Sequence, residues 1–151
     1  MASAVTDSTI FSGVWQNIFA LIDAIADPES RTGSPKWKFA GFPTDKVDDS
    51  TAYPVITIDN PTPSGMDLHN LGQNISTITV NIVIDIFSLK ASQLDSLSDS
   101  VIDAIETGRG TLFTNKITNI RLVGGSYQAI ERSAIKVHNK QLTYEVEYDL
   151  T

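Results

Sequence analysis

Residues 75 to 88, ISTITVNIVIDIFS, alternate without interruption. Ile78, Val80, Ile82, Ile84 and Ile86 fall on one side, and Thr77, Thr79, Asn81, Val83, Asp85 and Phe87 on the other. Period-two alternation of β-branched residues is the mark of a strand with one face on a core and the other mostly wet. The run is longer than the average strand of about five or six residues, so part of it is expected to project beyond its own domain. The C-terminal stretch QLTYEVEYDLT repeats the pattern, with Leu142, Tyr144, Val146, Tyr148 and Leu150 set against Thr143, Glu145, Glu147 and Asp149. Two such strands demand a sheet, and a sheet with one apolar face demands something to cover it.

The cover is legible in two amphipathic segments. From about residue 8 to 26, Ile10, Phe11, Val14, Trp15, Ile18, Phe19, Ile22 and Ile25 recur at helical spacing; Asp7 or Ser8 is placed to cap the start, and Pro28 to end it. From about 92 to 107, Leu94, Leu97, Val101, Ile102 and Ile105 form a second stripe, with Ser92 and Asp95 spaced as a capping box and Gly108 where a C-cap glycine belongs. Between the first helix and residue 53 lies a proline-punctuated loop, 28–51, with at most a short extended stretch near 36–40. Tyr53–Asp59 reads as a short strand, and 60–74 as a polar projecting segment. Ile117–Val123 and Ser126–Val137 read as strands separated by a Gly124-Gly125 turn or bulge, with His138-Asn139-Lys140 as a hairpin turn. The expectation is a single α+β domain over residues 1–151. Its sheet is rich in antiparallel strands, its two main helices pack on one face, and a long β-hairpin or loop projects from it.

Composition removes much chemistry. The 151 residues contain no cysteine and only two histidines, which excludes disulfide frameworks and thiolate sites. His69 and His138 stand apart, and neither has acidic partners at metal-ligand spacing. Asp48-Asp49 lacks the further oxygens of a calcium loop, and no GxxxxGK[ST] or GxSxG motif is present. No catalytic, cofactor or metal residue is nominated, so the expectation is a protein that is not an enzyme and carries no cofactor. A basic leader and a long unbroken apolar run are both missing, so neither a secretory signal nor a membrane partner is expected.

The net charge of −7 is distributed unevenly. Residues 1–30 carry four acids and no base, and 91–106 carry Asp95, Asp99, Asp103 and Glu106 with no base between them. Residues 107–140 hold Arg109, Lys116, Arg121, Arg132, Lys136 and Lys140 against Glu131 alone. Opposite charge on different parts of one chain suits head-to-tail contact between identical copies.

The order of elements carries a resemblance. An amphipathic N-terminal helix is followed by Tyr53-Pro54-Val55-Ile56-Thr57-Ile58, a projecting segment, and the strand–helix pair from Ile78 to Ile105. The Glu131-Arg132 segment and a terminal Tyr144-x-Val146-x-Tyr148 strand complete it. Over about residues 8–150 this layout resembles the tail terminator or tail completion proteins of long-tailed bacteriophages. The resemblance implies a structural virion protein, assembled in the host cytoplasm and located at the head–tail junction. Such a protein forms a homo-oligomeric ring, hexameric in the family, on the completed tail tube and stops its polymerisation. It offers a docking surface to the head connector or stopper, and DNA passes through without specific binding. On this reading Asp95, Asp99, Asp103 and Glu106 are candidates for the lumen wall. Met66, Leu68, His69, Arg121, Arg132 and Lys136 are candidate contacts to neighbouring subunits or to the tube protein. A head-side connector or another minor tail component, or a small-molecule binding domain using 28–51 as a lid, are the alternatives.

Overall fold

In the computed structural model the backbone is described for residues 2–70, 75–132 and 135–150, and the side chains for all of these except 66–70, 75 and 132. The elements are α1 (Ile10–Asp23), β1 (Lys38–Phe39), β2 (Val55–Ile58), β3 (Thr62–Asn70), β4 (Ile75–Ser88), α2 (Ala91–Thr107), α3 (Arg109–Thr114), β5 (Ile117–Arg132) and β6 (Ile135–Asp149). The strands make one sheet in the order β1-β2-β4-β6-β5, and β3 pairs with the first half of β4 beside β2. Among the described residues all pairings are antiparallel except β1 with β2. The fold is therefore the expected α+β arrangement.

The 14-residue alternation of β4 places Val80, Ile82, Ile84 and Ile86 in the core. Their partners on β6, namely Val146, Tyr144 and Leu142, continue the same face, while Ile86 meets Lys140 where the core ends. Ile10, Val14, Ile18 and Ile22 of α1 and Leu94, Leu97, Val101 and Ile105 of α2 close over that face, with Leu112 of α3 and Trp37 at the margins. Helices on one side of an antiparallel-rich sheet are what the two periodicities require.

Several local expectations give way. Segment 62–70 is a strand, so the projecting element is a β3–β4 hairpin; residues 71–74 lie outside the described residues. The strand expected to end at Val123 runs on to Arg132, and of the two readings of Gly124-Gly125 the structure has the bulge and not the turn: the ladder slips between Leu122 and Gly124 and continues. His138-Asn139-Lys140 lies inside β6, paired to both β4 and β5, and the β5–β6 connection falls at 133–134, outside the described residues. Two long strands thus replace three short ones, because a bulge at Val123 shifts the register ahead of the glycine pair without breaking the pairing.

The helix ends also differ. α1 starts after Thr9, with no side-chain cap from Asp7 or Ser8, and ends at Asp23, ahead of Pro28. What holds its C-terminus is Lys38, whose ammonium donates to Asp23 O at 2.7 Å and Ile25 O at 2.6 Å. α2 has no Ser92/Asp95 capping box. Ser88 takes that place, its hydroxyl accepting from Lys90 N at 3.1 Å and donating to Gln93 Oε1 at 2.6 Å. Gly108 does follow α2, but at φ −83, so left-handed backbone is not its reason. A Cβ there would lie 2.5 Å from the Leu21 side chain, and the glycine lets α1 close on the α2–α3 junction. The turn α3 was not expected.

The opposite face of the sheet is divided. Near β2 and the far end of β6, Tyr53, Val55 and Val137 make a small second core with Phe39, Phe42, Phe87, Leu89 and Ile135, roofed by the segment before β2. Phe42 meets Phe87 edge-on at 4.8 Å, and Arg31 ties the segment down through Asp27 at 2.7 Å and Ala52 O at 2.7 Å. The rest of that face is polar: Asp85, Asn81, Glu145, Gln141 and Asn139 are spread along β4 and β6.

Candidate assembly surface

The sheet has two sides that end in strands without a second neighbour among the described residues: β5 on one, and β1 with β3 on the other. The candidate contact residues divide between them. Met66, Leu68 and His69 belong to β3, in whose register Met66 opposes Ile78 and Leu68 opposes Ser76; their side chains lie outside the described residues. Arg121 and Arg132 belong to β5, and Lys136 to the start of β6 opposite Glu131. Arg121 is ion-paired across the strands to Glu145, which holds its guanidinium pKa above the usual value. Lys136 is exposed, and the Arg132 side chain lies outside the described residues.

β5 is unusual in its exposure. Residues 121–129 are all exposed, in a strand that runs from 117 to 132. Three of the large apolar side chains exposed in the described residues are here: Leu122 at 44%, Val123 at 46% and Tyr127 at 55%. Phe113 of α3, next to the start of β5, is 69% exposed. A long edge strand with free backbone groups and apolar side chains is a surface that pairs with other chains unless it is shielded. The sequence signal for it was the adjacent Leu122-Val123, two apolar residues that break the alternation.

The acidic face of α2 stays together in space but is half compensated. Lys140 of β6 reaches Asp95 at 2.6 Å, and Arg109 grips Glu106 with contacts of 2.7 and 2.8 Å. The Arg109 hydrogen bonds hold the Glu106 carboxyl below its ordinary value. Asp99 and Asp103 remain exposed, and among the described residues they form no ion pair with a base. The bases were missed because they come from β6 and from α3, distant in sequence or past the end of the helix.

Other polar clusters have structural roles. A cleft of about 530 Å³ lies at the end of α1, lined by Asp23, Asp27, Arg31, Lys36, Trp37 and Lys38. Its Arg31 and Lys38 are already committed to backbone carbonyls, and burial pushes the Lys38 ammonium pKa down. Asp59, at the end of β2, is pushed up, first by burial and then by the charge of Asp85. His138 bonds Tyr127 Oη through Nδ1 at 2.6 Å. Among the described residues no group of three or more His, Cys, Asp or Glu could hold a metal ion, and no helix is long and apolar enough to cross a membrane.

No family model and no curated protein matches the sequence. The fold is similar to that of a chain in the virion of a native gene transfer agent particle, at 11% identity and a TM-score of 0.54, covering 92% of this chain and 97% of that one.

Proposed function

We propose that this chain is a structural virion protein that forms a ring at the head-proximal end of a phage tail tube, terminates tube polymerisation and provides the seat for the head connector. The observation that carries the reading is the placement of two free strand edges on opposite sides of one sheet, one of them long, apolar and exposed. Unlike edges meeting head to tail repeat from copy to copy, which gives a ring where the rotation between copies closes, whereas a single self-complementary patch would give a dimer. The virion chain of similar fold supports the setting, and the terminator layout in the sequence supports the role. Within this reading the ring has six subunits, as the resemblance implies, and DNA crosses a lumen whose negative wall opposes adhesion of phosphate. Asp99 and Asp103 are the acids of α2 best suited to that wall, since Asp95 and Glu106 already face bases.

The test is co-sedimentation with tail tubes assembled from the tube protein of the same particle. The chain is expected at one tube end, and tubes grown in its presence are expected to be shorter. Tubes of unchanged length that carry no chain at either end would refute the terminator role.

A further inference from the structure

The segment ahead of α1 lies in a groove shaped to hold it. Residues 2–5 run back along α1 to the junction of α3 with β5, where Val5 N donates to Asn115 O at 2.9 Å. The Val5 side chain, 2% exposed, fills the space that Gly13 leaves: a Cβ at position 13 would lie 3.4 Å from Val5 Cβ and 3.1 Å from its Cγ2. One turn further along α1, Asn17 is buried, and its amide donates to Ser3 O at 3.0 Å and to Gly13 O at 2.8 Å. Asn115 completes the frame, donating to Asn17 Oδ1 at 2.7 Å and to Ala2 O at 3.4 Å. A buried amide is costly unless it is bonded, and these two are committed to the segment and to each other. The groove therefore reads main-chain carbonyls and one β-branched side chain, while Ser3 and Ala4 are exposed. Residues 2–5 of any copy satisfy it equally.

The connection to α1 holds the segment at home weakly. The chain reverses within residues 6–9, all of them exposed, and Thr9 N donates to Thr6 O at 2.9 Å. The reversal is shaped by exposed hydroxyls: Thr6 N donates to Thr9 Oγ1 at 3.1 Å, and Thr6 Oγ1 meets Thr9 Oγ1 at 2.8 Å and Ser8 Oγ at 3.2 Å. Tyr148 Oη donates to Asp7 at 2.5 Å, and that bond too is given up when the reversal straightens. A short, tight hinge invites exchange of the element it carries, because opening it forfeits bonds that water replaces while the buried contacts re-form in a neighbour. Four extended residues reach at most about 14 Å. The receiving copy must therefore pack at this flank, where α3 leads into the free edge strand β5.

We propose that residues 2–5 of each copy occupy the Gly13–Asn17 groove of the next copy in the assembly. The proposal rests on the reading that copies of this chain associate head to tail, and it names the segment that locks them together. Reciprocal exchange stops at a dimer, whereas a segment passed on from copy to copy links every subunit of a closed ring.

The separation of positions 5 and 13 makes the exchange testable. Their Cβ atoms would stand 3.4 Å apart, next to the range of about 3.5–4.5 Å found across a disulfide, and the chain has no native cysteine. The full-length chain carrying both Val5→Cys and Gly13→Cys is oxidised on tail tubes, in concentrated solution and at high dilution, then run on a denaturing gel without reductant. Covalent species larger than a dimer are expected from the tube-bound or concentrated chain, and monomers closed on themselves at high dilution. Self-closed monomers under all three conditions, or species that stop at the dimer, overturn the proposal. A labelled peptide of residues 2–9 tests the groove without the cysteines. It is expected to bind the Val5→Asp chain, whose own segment is expelled, and to lose affinity at least about tenfold when the peptide itself carries Val5→Asp, since the groove would then bury a charge. No binding, or equal binding of both peptides, also overturns the proposal. Failure of the terminator role reads differently: a chain that caps tubes but closes only on itself sinks the exchange alone, and a covalent ladder from a chain that leaves tubes uncapped sinks the role alone.

Discussion

The two faces of β4 share one backbone and differ in almost everything else. On the helix side Val80, Ile82, Ile84 and Ile86 are sealed beneath α1 and α2. On the other side Asn81, Val83, Asp85 and Phe87 are only half-buried, apolar at the Phe87 end and polar elsewhere. The sealed face has a single solution, because one-residue slippage would exchange the two sets entirely. The open face tolerates charge, hydrogen-bonding side chains and a second small core, and it specifies far less. Stability is concentrated on one face, while the lateral edges and the open face are left to vary with what the molecule meets.

The sharpest way to break that contrast is to place a polar group on each face. Ile84→Asp buries an unpaired carboxylate among residues that are fully enclosed. The expected cost exceeds about 4 kcal/mol, a large part of the stability of a domain of this size. The variant should lose its near-UV circular dichroism and its cooperative melt. Val83→Thr, one residue earlier and half-buried on the open face, should cost less than about 1.5 kcal/mol and melt cooperatively. Equal losses from the two substitutions would mean that the faces are not distinct.

Long alternation is why the sealed face was readable from the sequence: period two in β4 and β6 and period 3.6 in the helices name the same core residues from opposite sides. Less readable were features made by residues far apart. The compensation of Asp95 by Lys140 depends on β6 running beneath α2, and the second core depends on Phe42 and Phe87 converging across 45 positions of chain. The Ser126–Val137 segment shows the limit of local cues. His138-Asn139-Lys140 has the composition of a turn, yet cross-strand pairing with the faultless alternation of β6 overrides it, and at Gly124-Gly125 the same pairing selects a bulge over a turn. For the candidate site, the sequence supplied residues on both free edges and the adjacent Leu122-Val123, but that β5 is the strand the helices leave exposed depends on its place at the end of the sheet.

Lys38 tests the sealed side at its margin, where a charge is admitted. It is the charged residue among the buried ones described, and it sits in register with Ile56 on the helix face. Its ammonium is tolerated because it satisfies carbonyls at the end of α1 that have no partner within the helix, and a cation there is also favoured by the negative end of the helix dipole. Lys38→Met keeps the aliphatic stem but leaves Asp23 O and Ile25 O unsatisfied. It should destabilise by about 2–3 kcal/mol, measured by urea unfolding with an unchanged slope. A neutral or stabilising outcome would show that water replaces the ammonium and that this margin belongs with the open face.

The smallest effect belongs to the open face itself. Asp59 and Asp85 repel one another near the end of β2, and burial together with the Asp85 charge raises the Asp59 carboxyl above its ordinary 3.8. Because the folded state then holds this proton more firmly than the unfolded chain, ionisation of Asp59 removes stability as pH rises through the interval just above 3.8. Asp59→Asn should therefore raise the melting temperature at pH 7. The gain should be worth less than about 1 kcal/mol, since Asp59 is exposed and solvent screens the pair. It should shrink as pH falls and vanish below pH 3.8, where the wild-type group is protonated in both states. A gain independent of pH would trace the effect to packing, and a loss at pH 7 would mean that the carboxylate at 59 is held by an attraction stronger than the repulsion from Asp85. Either result would show that the open face is more tightly specified than its exposure suggests.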